Sequence, residues 1–140
     1  DLNDHGRVVS LSITAMDTEP LGSRPIPFTE LVTLGGTEVM PGFRAGRLYG
    51  ESALVATLRY SWPIWMWLDG SLQASIGNVF GRHWQDASIE QSRFSSAIGV
   101  ESNGSRDSIF QALLGFGTET FNQGAAVNSI RMVVGARHGF

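Results

Sequence analysis

SALVATLRYSW, residues 52 to 62, places Leu54, Ala56, Leu58, Tyr60 and Trp62 on one face of an extended chain and Val55, Thr57, Arg59 and Ser61 on the other. A period of two is the signature of a strand with one apolar face; a helix cannot present it. The same alternation extends in both directions. Upstream, Arg7 to Met16 sets Val9, Leu11, Ile13 and Ala15 against Val8, Ser10, Ser12 and Thr14. Downstream, Met66 to Val79 sets Leu68, Leu72, Ala74 and Ile76 against Asp69, Ser71, Gln73 and Ser75. Phe94 to Glu101, Ser108 to Thr118 and Asn128 to Phe140 continue the pattern, and no segment has a helical period. The fold class is therefore all-β, an antiparallel meander of about six long strands. A tight reversal is expected at Trp62-Pro63-Ile64-Trp65, because proline argues against an unbroken strand, and another at Asn103-Gly104.

Composition narrows the function classes. Without cysteine, disulfides and thiolate metal sites are ruled out. His5, His83 and His138 are scattered without ligand-like spacing, so surface positions are expected for all three. The formal charge is −3, carried with ten arginines and no lysine, and no basic tract marks a nucleic-acid partner. No apolar run is long enough for a membrane helix, and the opening DLNDHG does not resemble a signal peptide. A β-barrel membrane protein remains open, since its signal is alternation.

Two features favour the membrane. The candidate strands run about eight to thirteen residues, close to what a tilted strand needs to cross a bilayer. The connections alternate between long (17–51, 80–93) and short (62–65, 102–107), with a medium one at 118–127. Short turns on one rim and long loops on the other are how outer-membrane barrels are built. Tyr60, Trp62, Trp65 and Trp67 bracket one short turn, as in an interfacial girdle. Arg59, Asp69, Gln73, Glu101, Arg131 and Arg137 would then face a wet lumen, while the apolar face meets lipid.

The longest connection, about 17–51, contains LGGTEVMPGFRAGRLYG at 34 to 50. Its glycines permit backbone angles closed to other residues, and Val39, Met40 and Phe43 punctuate it, so it reads as a shaped loop.

These residues together resemble the C-terminal barrel portion of the BamA/TamA family of outer-membrane proteins, also called bacterial surface antigens. The likeness is carried by Leu34-Gly35-Gly36, Met40-Pro41-Gly42-Phe43-Arg44 with Gly46-Arg47, Arg59-Tyr60-Ser61-Trp62-Pro63-Ile64, Leu68-Asp69-Gly70, Gly77-Asn78-Val79-Phe80 and the terminal Phe140. It implies that residues 1–140 supply the last six strands of a sixteen-stranded barrel, with a loop folded back into the lumen. Outer-membrane lipid, the remainder of the barrel and client proteins would be the partners, in the outer membrane of a Gram-negative-type bacterium. Six strands cannot close a barrel in lipid, so other strands of one precursor or of further chains are expected to complete it.

Two positions depart from the family pattern. Pro41 stands where the family loop usually has an arginine, and Ser75 stands at the place of its acidic partner. Joint loss is physically tolerable because neither charge is left unpaired. Arg44 is then the candidate anchor, with Asp69 and Glu101 as candidate lumen partners beside Ser75. The C-terminal stretch with Gly135, His138 and Phe140 resembles the signal that barrel proteins present to the assembly machinery, where strand addition is the natural mode of recognition.

No catalytic residue, cofactor or metal is expected: the GxSxG elbow is absent, and no serine, histidine and acid form a recognisable set. The expected role is membrane-protein insertion or translocation across the outer membrane. A non-catalytic anchor or scaffold is the alternative, and a soluble lipocalin-type binding barrel a weaker one.

Overall fold

The computed structural model describes residues 6–20, 25–84, 87–102 and 108–138. The strands are β1 (Val8–Asp17), β2 (Val32–Leu34), β3 (Leu48–Gly50), β4 (Ser52–Trp65), β5 (Leu68–Phe80), β6 (Arg93–Ser102), β7 (Ser108–Thr120) and β8 (Val127–His138). Six of them form one antiparallel sheet in the order β1-β4-β5-β6-β7-β8, and β2 and β3 pair separately as a short ribbon inside the long loop. The fold is all-β and, apart from that loop, a meander. Among the described residues β1 and β8 are its edges, and no pairing joins them.

The sheet strands are 10 to 14 residues long. At about 3.3 Å per residue and a tilt of about 45°, such strands rise roughly 23–33 Å. The rims are unequal. Connections 18–51, 81–92 and 121–126 leave from one end of the sheet, whereas 66–67, the end of β6 at Ser102 and the start of β7 at Ser108 lie at the other.

One expectation at the short rim changes. The chain does not reverse at Pro63: β4 continues to Trp65, the turn is Met66-Trp67, and β5 begins at Leu68. Pro63 is tolerated because the β4–β5 register shifts between Pro63 and Trp65, an irregularity at which a missing backbone donor costs little. Asn103-Gly104 lies outside the described residues, as do His5 and Phe140.

The two faces of the sheet differ in kind. One carries Leu11, Leu58, Leu72, Ile98, Leu114, Ile130 and Met132 and is covered by none of the described residues: Leu11 is 69% and Met132 74% exposed. At its short-rim end Tyr60 stacks on Trp62 with centroids 5.4 Å apart. A Cβ on Gly70 would lie 2.5 Å from Trp62 ring atoms, so the indole lies across a position that only glycine leaves open. The other face is covered in its long-rim half by the loop. The hydrophobic core lies there, between sheet and loop: Val32, Leu34, Met40, Phe43 and Leu48 against Ala53 and Val55, with Val39 and Val79 packed beside them.

Candidate functional site: the loop-bearing face

Register builds the floor of the site. Ser12 pairs with Thr57, Thr57 with Ser75, Ser75 with Ser95, Ser95 with Gly117 and Gly117 with Ser129. Side chains in register share a face, so one row of hydroxyls and a glycine crosses all six strands of the sheet. The next row toward the short rim is Ser10, Arg59, Gln73, Ala97, Gly115 and Arg131. Small residues keep the floor low enough for a second layer of backbone.

The loop first folds on itself. Gly35 and Gly36 adopt φ of 115° and 102°, which only glycine takes without strain. A Cβ on Gly35 would lie 2.0 Å from Arg44 O. Gly36 bridges to Met40, and its N–H donates to Phe43 O (2.9 Å). The result is a compact tip, Met40-Pro41-Gly42-Phe43, whose four residues are all buried.

The tip then meets the floor. Gly42 N–H donates to Ser95 Oγ (2.8 Å), Ser129 Oγ donates to Gly42 O (2.7 Å), and Arg131 donates to Phe43 O (3.1 Å). Gln73 donates to Glu38 O (2.8 Å), and Thr57 Oγ1 stands 3.2 Å from Val39 O and 3.0 Å from Ser75 Oγ. Close approach is sterically exclusive. A Cβ on Gly42 would lie 2.1 Å from Phe116 O, one on Gly115 2.5 Å from Pro41 O, and one on Gly117 2.7 Å from the Phe43 ring. The floor's bonds to the loop all end on loop backbone, whose polar groups need partners when they are taken out of water.

The candidate residues sort clearly against this geometry. Gly35, Gly36, Pro41, Gly42 and Phe43 form the docked tip and the turn behind it. Ser75 lies under the loop within the serine row and is buried. Arg44 is exposed, and the pair expected between it and Glu101 is not formed: Glu101 is held by Arg59, one guanidinium nitrogen contacting both carboxylate oxygens (2.6 and 2.7 Å). Asp69 is the register partner of Glu101 at the short-rim end, away from the tip. The arginine that does reach the loop is Arg131. Periodicity put it on the polar face, but the register that sets it beside Phe43 cannot be read from a single strand. Gly135 lies within β8, and His138 ends it.

The long rim carries a second cluster. Ser52, fully buried, stands 2.6 Å from Asp17 Oδ1 and 2.9 Å from Gly81 O and accepts from Trp84 N–H (3.3 Å). His83 Nδ1 lies 3.6 Å from Asp17 Oδ2 and 3.7 Å from Glu19 Oε1, on the surface as expected for this histidine. The grouping escapes sequence spacing because its members come from the ends of β1 and β4 and from two distant connections. Arg93 pairs with Glu119 (3.1 Å), which also accepts from Asn128 (2.6 Å), at the same rim. Among the described residues no nucleophile and base come together on the loop-bearing face; the hydroxyls of Thr57, Ser75, Ser95 and Ser129 bond loop backbone or one another.

No helix of the described residues is long and apolar enough to cross a membrane, which says nothing of strands. Comparison of the chain with protein-family models, curated proteins and solved structures finds no match.

Proposed function

We propose that this chain is a segment of an outer-membrane β-barrel of BamA/TamA type, acting in the insertion or translocation of other proteins by lateral opening and strand templating rather than by bond chemistry. One observation carries the reading: among the described residues nothing covers the apolar face of the six-stranded sheet, while the polar face holds a docked loop. Soluble monomers rarely expose contiguous apolar patches larger than a few hundred Å². A barrel wall turns that arrangement into a rule, with lipid outside and polar side chains inside. Strand length and unequal rims agree with it. The remaining strands would come from the rest of the same precursor or from further chains, and they would pair with the edges β1 and β8.

A second reading, a barrel anchor or scaffold without translocation activity, is favoured by the tip itself. Pro41 and Ser75 stand where the resemblance implies a charged pair, and the tip is held through its backbone. Membrane extraction of the native protein, followed by electrophoresis with and without heating in detergent, tests the barrel that both readings share. A heat-modifiable outer-membrane species supports them. A species that stays soluble without detergent removes both and leaves a soluble binding protein. Loss of client insertion on depletion separates the active barrel from the anchor.

A further inference from the structure

The loop tip rests on three neighbouring strands, but its bonds are unevenly shared. β7 lies beneath it through Gly115, Phe116 and Gly117, where close approach is the contact. β6 contributes the single bond of Ser95 to Gly42 N–H. β8 contributes two, from Ser129 to Gly42 O and from Arg131 to Phe43 O. β8 is an edge of the described sheet and pairs with β7 alone.

We propose that the loop tip and β8 form a reciprocal latch. The docked tip holds the inner face of β8 onto the sheet, and displacement of β8 releases the tip. Ser129 and Arg131 are positioning residues in this device: both project from one face of β8, two residues apart, and both end on carbonyls of adjacent loop residues. Ser129 and Arg131 therefore engage or release together. Coupling between two elements works equally in both directions, so whatever loosens the tip must loosen β8 by the same factor. The inference rests on the fold and not on the membrane assignment, so its failure and the failure of that assignment are separate results.

The test uses the full chain in its native extract. The chain has no cysteine, and Met40, within the docked tip, is fully buried, so Met40→Cys provides a background in which maleimide labelling reports undocking. Amide exchange across 127–136 reports β8. Two variants act from opposite sides. Ser129→Ala with Arg131→Met removes both bonds on β8. Ser95→Leu crowds Gly42 from β6, two strands away from β8, and alters nothing on β8 itself. Each variant is expected to raise labelling at position 40 and β8 exchange together, by about thirtyfold where the double variant loses its two hydrogen bonds. If β8 exchange in Ser95→Leu stays at the parent rate, the latch is refuted. Unchanged labelling in either variant refutes it equally. The Ser95→Leu arm stands even if the double variant fails to fold.

Discussion

Gly42→Ala is the smallest change that should dislodge the loop. The added Cβ would lie 2.1 Å from Phe116 O and 2.2 Å from Phe116 C, against an interior strand paired on both sides. Ordinary contact needs well over an ångström more, and main chain within a ladder cannot rotate aside. What holds the tip is modest. Burial of Met40 and Phe43 contributes about 1.5–3 kcal/mol each. The bonds from Ser95, Ser129 and Arg131 add about 1 kcal/mol apiece. Ordering the tip costs about 1–2 kcal/mol per residue, so docking is favoured by only a few kcal/mol net. Overpacking typically costs about 1–3 kcal/mol where neighbours can yield, and more where they cannot. The tip should therefore leave its seat while the sheet remains. Trypsin cleavage after Arg44 or Arg47 reads this directly, and a rise of about tenfold or more is expected, with the β-sheet circular dichroism unchanged. Gly117→Ala should act less strongly, because its Cβ meets the Phe43 ring at 2.7 Å and a ring can tilt. Gly135→Ala, with nothing within 4 Å, should leave cleavage as it is. Cleavage of Gly42→Ala at the wild-type rate with the sheet intact would refute the steric argument.

Two further outcomes follow from the faces and their charges. If the uncovered apolar face meets lipid as proposed, Leu58→Arg on that face should destabilise the protein by about 2–4 kcal/mol near mid-bilayer. Gln111→Arg, across from Glu101 on the opposite face, should cost little; equal costs in a denaturant titration would count against the assignment of faces. In a double-mutant cycle of Arg59→Ala and Glu101→Ala, the coupling should be about 0.5–1 kcal/mol and should shrink with salt, since both side chains are 30% exposed. A coupling of several kcal/mol, insensitive to salt, would show a drier environment around the pair than the geometry implies.

Alternation made the sheet legible. Each long strand was recognisable from period-two patterning, because one face had to be apolar along its whole length. The loop was legible as a shaped element because its glycines demanded unusual backbone angles, and Gly35 and Gly36 do adopt them. Register was not legible. The row from Ser12 to Ser129 exists only once six strands are aligned, and a one-residue slip would have put those hydroxyls on the apolar face. Arg44 looked like an anchor by its place beside Phe43, yet it is exposed, and the tip presents backbone to Arg131. The β2–β3 ribbon was missed because three-residue strands carry too little pattern. Pro63 misplaced the turn, since a proline at a register shift looks the same in sequence as one in a reversal.

The central claim is that one face of this sheet meets lipid and the other water. Since the chain lacks cysteine, single-cysteine variants can carry a fluorophore at Leu11, Leu58, Ile98 or Met132 on one face, and at Ser10, Gln111 or Arg131 on the other. In reconstituted membranes, quenchers attached to lipid chains should extinguish the first group and aqueous iodide the second. Iodide quenching of the first group with no response to lipid-borne quenchers would contradict the account.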